Sequence, residues 1–215
     1  MEYICGKQTA SLELADFQAC LEKYQKVLVD IGTGDGRFVQ NYAQNCPEAL
    51  AIGVDACREN SQQVSRKARP NTLFLIANAL WLPPELTGVA DLVTINFPWG
   101  SLLQGLLKGE SGLSENLLKL LRPSAKIEIR LNQSAVEKAG YSLAEAGLKV
   151  QHNLRLGGFS VTNPLWLERE VLKEVPTTWA KRLAYGREAE AVYLRATPLN
   201  IYAGESRIPD FTYAR

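Results

Sequence analysis

Residues 27–38, VLVDIGTGDGRF, set an acid and three glycines between a short apolar run and the start of a helical pattern. A strand ending in such a turn feeds a nucleotide-binding loop. Gly32, Gly34 and Gly36 let the backbone bend sharply and approach a ligand where a Cβ would collide. Spacing narrows the choice of ligand. A dinucleotide fingerprint carries its third glycine one position later, where this chain has Arg37, a side chain that obstructs close pyrophosphate and helix packing. Asp55 closes the next apolar run, where a carboxylate can accept both hydroxyls of a ribose. A second informative stretch, NFPWGSLL at 96–103, follows the fourth apolar run and offers aromatic rings in place of a histidine, cysteine or carboxylate.

Positioning these groups requires strands and helices in alternation. Residues 27–31, 49–55, 72–77, 90–96, 126–131, 149–154 and 191–197 read as strands, being rich in Val, Ile, Leu and Phe. Helices are expected at 12–24, 37–45, 59–67, 113–121 and 135–146, with Gly147 as a C-terminal stop and Pro47 and Pro70 closing others. The alternation predicts an α/β fold: a doubly wound, mostly parallel sheet of seven strands with its crevice at the carboxyl ends, where Asp30 and Asp55 fall. One domain over 1–215 is expected, with an N-terminal extension at 1–25 and a tail at 198–215. The segment 157–187, holding Pro164, Trp166, Pro176 and Trp179, is too long for a hairpin connection and reads as a functional insertion before the last strand.

The bounds agree with a cytosolic enzyme. The 215 residues have the apolar and charged fractions of a soluble protein, and a net charge of +1 leaves no global footprint of a nucleic-acid binder, so any RNA affinity must be local. Cys5, Cys20, Cys46 and Cys57 are scattered without a CxxC pair, which indicates neither a zinc site nor a disulfide framework; no metal is expected. The start MEYICGKQT lacks the features of a secretory signal, and no run is long enough to cross a bilayer. A cytoplasmic monomer is the expectation.

The glycine loop resembles motif I of class I methyltransferases, which implies that Asp30 lies toward the methionine end of S-adenosylmethionine. The second stretch resembles aminoglycoside-resistance 16S rRNA adenine-N1 methyltransferases, in the order Phe97, Pro98, Trp99, Gly100, Ser101, Leu102, Leu103. A further block, TWAKRLAYGR at 178–187, is similar to that family's tryptophan-centred segment at Trp179, Lys181, Arg182, Leu183, Ala184, Gly186 and Arg187. Two separate blocks in register are far more specific than either alone.

The resemblance implies a class I methyltransferase fold, S-adenosylmethionine as cofactor, and 16S rRNA in the 30S subunit as partner, methylated at N1 of adenine 1408. It implies a flipped adenine gripped between Trp99 and Trp179 with Phe97, Pro98 and Ser101 beside it; Ser101 reads equally as a hydroxyl anchor and as a helix N-cap. A base that leaves its stack needs aromatic faces in exchange. Adenine N1 is already a nucleophile, so no general base is required. The cofactor site comprises Asp30, Gly32, Thr33, Gly34, Gly36, Asp55 and Asn96, with Asn78 and Ala79 recognising adenine through their backbone and Leu80 giving apolar contact. Lys181, Arg182 and Arg187, together with Arg66, Lys67 and Arg69, are expected to hold RNA phosphates. Trp81 reads as core, Trp166 as either core or site, and His152 as an unassigned strand or surface residue.

This chain departs from the family in three places. It lacks a basic, glycine-rich insertion before the third strand, its linker after the fifth strand is short, and the acidic position near the cofactor's adenine is Leu80. Two alternatives follow: a tRNA guanine-N7 methyltransferase, whose Phe-Pro loop usually adds an acid that is missing before Trp99, and a catalytically idle cofactor-binding module that docks on RNA as an assembly factor.

Overall fold

The structure, a computed structural model, describes residues 1–6, 8–186 and 190–199 of the chain. Five strands form the parallel centre: β3 (Lys26–Ile31), β4 (Ala49–Asp55), β5 (Thr72–Ile76), β6 (Ala90–Asn96) and β7 (Leu121–Asn132). On β3, Val27, Leu28, Val29 and Ile31 are each at most 1% exposed, because a parallel strand with helices on both faces has no solvent side. An N-terminal hairpin of β1 (Glu2–Cys5) and β2 (Gln8–Ser11) adds antiparallel to β5, and α1 (Leu14–Leu21) leads from it into β3. The other edge is finished by β8 (Phe159–Val161), β9 (Leu165–Trp166) and β10 (Ala191–Pro198), with β10 antiparallel to β7, β8 and β9. The sheet order is β2-β1-β5-β4-β3-β6-β7-β10-β8, with β9 attached to β10.

The connecting helices are α2 (Arg37–Asn45), α3 (Arg58–Ser65), α4 (Gly100–Lys108), α5 (Ser111–Leu120), α6 (Gln133–Lys138) and α7 (Leu143–Leu156). Between β9 and β10 lie α8 (Arg169–Glu174) and α9 (Thr178–Tyr185). These two helices pack around Phe97 in a small cluster with Leu172, Val175, Ala180, Leu183 and Ala184, apart from the main core. Of the segment expected as an insertion, 157–187, residues Phe159–Val161 form the sheet strand β8, so the part laid over Phe97 is the later one, which carries β9, α8 and α9.

Four expectations are corrected. Residues 149–154 are helical, lying inside α7. Ser142 and Glu145 form a capping box ahead of it, and Leu143, Ala146, Val150 and Leu154 are buried at helical spacing. Gly147 does not stop that helix; it lets Pro164 approach, since a Cβ there would come 3.0 Å from the Pro164 ring. The sixth core strand is β8 instead. The expected helix over 135–146 is broken at Gly140, whose φ of +88° ends α6 before α7 begins. Finally, Trp81 is 80% exposed, in a turn closed by its N–H on the Asn78 carbonyl at 2.9 Å. Trp166 is also exposed, at the sheet edge, and His152 is exposed on α7.

Candidate active site

The carboxyl ends of β3, β4, β5 and β6 open into one cleft of about 440 Å³. Its floor is Asp30, the penultimate residue of β3 and 2% exposed. Asp30 Oδ1 accepts from Thr94 Oγ1 at 2.6 Å and from Asn96 Nδ2 at 3.0 Å. Burial pushes its carboxyl up to about 6, against the pull of those bonds and of the Arg130 guanidinium on β7.

Beyond β3 the chain turns through Gly32, Thr33 and Gly34, with the N–H groups of Gly32 and Thr33 donating to the Val54 carbonyl at 2.8 and 3.1 Å. Asp55, at the end of β4, braces this loop: its Oδ2 accepts the Gly34 N–H and its Oδ1 the Cys57 N–H, each at 2.8 Å. Asp55 remains on the cleft wall, with Asn78 and Ala79 following from β5. Gly36 has another role. With φ of +67° it starts α2, and a Cβ there would lie 2.5 Å from Val64 and 2.7 Å from Phe74, so it serves helix packing outside the cleft. Leu80 is also outside. Its N–H closes an Asx turn on Asn78 Oδ1 at 2.9 Å and its side chain packs toward Gly105 of α4, away from the place expected for a cofactor ring.

β6 ends at Asn96, and Phe97 follows with φ of +54°, the one non-glycine residue with positive φ among those described. That conformation costs about 1–3 kcal/mol and persists where surroundings enforce it. Phe97 lines the cleft and is also buried among the α8–α9 residues, which makes it an anchor for the insertion. Pro98 and Trp99 come next on the cleft wall. Trp99, not Ser101, is the N-cap of α4; Ser101 is exposed in the first turn and lines the cleft.

From above, Thr177 caps α9 by accepting the Ala180 N–H at 2.9 Å, and so aims Trp179 downward. The Trp99 and Trp179 rings meet with centroids 5.0 Å apart and planes 32° off parallel. Trp99 Nε1 is buried without a hydrogen-bond partner. Thr178 Oγ1 donates to Asp35 Oδ2, which ties α9 to the glycine loop. The Arg182 guanidinium lies 5.1 Å from the Trp179 ring centre, and Lys181 is exposed beside it. Arg66, Lys67 and Arg69 are exposed where α3 returns to the amino end of β5, the sheet edge opposite the cleft. Arg187 lies outside the described residues. Sequence reasoning missed Asp35, Phe38, Thr177 and Thr178, all on the cleft wall; the signal for Thr177 was a hydroxyl two residues before Trp179, in an N-cap position.

An acid under the loop, a second at the end of the next strand and a sheet whose one reversed core strand is β10 define a class I methyltransferase dependent on S-adenosylmethionine. The donor set fits that cofactor: Asp55 faces the cleft to take ribose hydroxyls, Asp30 lies where a cationic ammonium is favoured, and Ala77, Ala79 and Val54 supply apolar wall.

Comparison with known proteins narrows the class. The family profile described as NpmA, 16S rRNA (adenine(1408)-N(1))-methyltransferase, matches residues 2–198, and the chain belongs to this family. A 16S rRNA (adenine(1408)-N(1))-methyltransferase of Escherichia coli is 31% identical over 201 residues, covering 85% of this chain and 92% of the relative. Its namesake from Streptoalloteichus hindustanus is 31% identical over 204 residues, covering 87% and 94%. Among solved structures, a tryptophan-to-alanine mutant of the Catenulisporales acidiphilia enzyme with cosubstrate SAM superposes with a TM-score of 0.83 at 26% identity, covering 94% of this chain and 98% of that one.

Proposed function

We propose that this chain methylates N1 of adenine 1408 in the 16S rRNA of assembled 30S subunits, acting as a cytoplasmic monomer on a base flipped out of its stack. The observation that carries this reading is the Trp99–Trp179 pair, which stands over the same cleft as Asp30 and Asp55. When bound, S-adenosylmethionine supplies an electrophilic methyl group on a sulfonium centre. Adenine N1 already has its lone pair, so the residues need only hold and align the base, and a cleft with aromatics and no general base over the methyl position suits that task.

A base stacked on both faces needs ring planes about 7 Å apart, twice the carbon contact distance. Trp99 and Trp179 touch, so the entering adenine separates them, with Trp179 as the ring carried by the smaller, separately packed α8–α9 unit. Lys181 and Arg182 stand beside it for phosphate contact. The idle-module alternative drew support from Leu80 at the cofactor position, and Leu80 lies outside the cleft.

The test is labelled methyl transfer to 30S subunits, to a short decoding-site hairpin and to bulk tRNA, with the modified base mapped by reverse-transcription stops. Transfer to subunits alone, stopping at the target adenine, is expected. Preference for tRNA or equal use of the naked hairpin overturns the ribosomal assignment.

A further inference from the structure

Arg130 pairs with Asn96 in the parallel register of β6 and β7, and it reaches the acceptor loop twice. Its carbonyl accepts the N–H of Phe97 at 2.7 Å, at the residue that holds a left-handed φ. Its Nη1 donates to Asn96 Oδ1 at 2.9 Å, while Asn96 Nδ2 donates to Asp30. The guanidinium is itself fixed. Its Nη2 donates to Glu128 Oε2 at 3.2 Å, it lies 5.3 Å from the Tyr193 ring centre, and only 15% of the side chain is exposed. Glu128 is held in turn by Lys126 at 3.0 Å. Although burial favours the neutral form, these two cations keep the Glu128 carboxyl below its usual range, so the anchor for Arg130 stays ionised.

A guanidinium donates and cannot accept. Asn96 must therefore turn its oxygen to Arg130 and its amide nitrogen to Asp30, an orientation that supports the carboxylate. Removing Arg130 leaves the amide free to invert, and an inverted amide presents oxygen to oxygen unless Asp30 takes up a proton. The side chains that donate to Asp30, Thr94 and Asn96 on β6, are neutral, as is Thr33 of the glycine loop; Arg130 on β7, which does not touch Asp30, is the charged group whose field reaches it.

We propose that Arg130 is a positioning residue of this methyltransferase: acting through Asn96 it orients the amide that supports Asp30, and through its carbonyl it holds the Phe97 elbow from which the acceptor loop departs. The inference concerns the cofactor side of the site and does not depend on which RNA is the substrate.

Its test is a carbon-13 NMR titration of the Asp30 carboxyl in the cofactor-free protein, with cofactor affinity measured at pH 6, 7 and 8.5. In Arg130→Met the Asp30 midpoint should rise by about one pH unit, on the scale of losing one nearby charge and one supporting hydrogen bond. Cofactor affinity should fall about fivefold at pH 6 and about twofold at pH 7, as the ionised fraction of Asp30 falls, and recover at pH 8.5. Arg130→Lys, which keeps the charge and can offer one donor, should fall between. Asn96→Ala severs the relay while leaving the Arg130–Glu128 pair intact, so it should raise the Asp30 midpoint even if Arg130→Met does not fold. A purely structural arginine would lower thermal stability yet leave the midpoint and the pH profile of the folded protein unmoved. That result, or an unshifted midpoint in Asn96→Ala, overturns the proposal. Failure to methylate subunits would refute the ribosomal reading and leave these readouts untouched.

Discussion

Asp30→Asn should make the cofactor-free protein more stable at neutral and alkaline pH while disabling it. The carboxyl rises from 3.8 to about 6 on folding because it is taken out of water. The folded state therefore binds its proton more tightly than the unfolded chain, and stability falls as pH climbs through the window between those values. A shift of roughly two units corresponds to about 3 kcal/mol carried in full above pH 7. Asparagine keeps an oxygen to accept from Thr94 and Asn96 and removes the charge, but its amide hydrogens need partners, which costs about 1–2 kcal/mol where none is found. The net expectation is a gain of about 1–3 kcal/mol at pH 8 that falls by about 2.5 kcal/mol on going to pH 4, where it is abolished or reversed, with S-adenosylmethionine affinity reduced at least tenfold at pH 8. Urea unfolding of both proteins at the two pH values, paired with calorimetric cofactor titration, measures each quantity. A variant less stable than the parent at pH 8, or a stability difference independent of pH, would refute the argument that Asp30 is held in the fold at an electrostatic cost.

Four further outcomes follow from the same geometry. Asp55→Ala should weaken cofactor binding by at least tenfold in a folded protein, read by isothermal titration, since charge-assisted hydrogen bonds contribute about 1.5–3 kcal/mol each. Trp99→Ala and Trp179→Ala should each abolish most turnover while costing less than the ~3–5 kcal/mol of a core tryptophan, with Phe partly rescuing; melting curves and methyl transfer on the same variants decide it, and activity that merely tracks the folded fraction would sink the clamp. Trp81→Ala should change stability by no more than about 0.5 kcal/mol in denaturant melts, as suits an exposed ring. The double change Lys181→Ala, Arg182→Ala should leave cofactor affinity intact, weaken subunit binding, and flatten the dependence of log affinity on log salt by about one to two.

Where a segment's local pattern and its buried face agree, the sequence was sufficient. β4, β6 and α2 occupy the expected residues, and Asp30, Asp55, Asn96, Trp99 and Trp179 converge as their positions after successive strands required. α7 was misread because Gly147 looks like a terminator, and its role in admitting Pro164 depends on a partner seventeen residues away. β8 and the β1–β2 hairpin are too short to carry a period. Leu80 packs toward α4 and Trp81 stands in solvent because the Asx turn on Asn78 decides which side chain faces inward, and a turn's rotation is not written in hydrophobicity. The α8–α9 cover was legible only as a segment too long to be a loop; that it rests on Phe97 is a contact between residues some 75 or more positions apart, which no local pattern carries.

The contact between Trp99 and Trp179 makes the free enzyme its own competitor. Any purine that enters must first undo a ring pair worth about 0.5–1.5 kcal/mol, against the roughly 1–3 kcal/mol per base that stacking returns when it is delivered squarely between them. A mononucleotide drifting in from solution also bears the whole entropy of immobilisation, so it meets a shut door. A base carried on a docked RNA arrives with that loss already met by contacts elsewhere. On the proposed clamp, the stacked tryptophans would act as a filter against the abundant free adenine nucleotides of a cell and reserve the methyl group for an adenine that is part of something large enough to hold it in place.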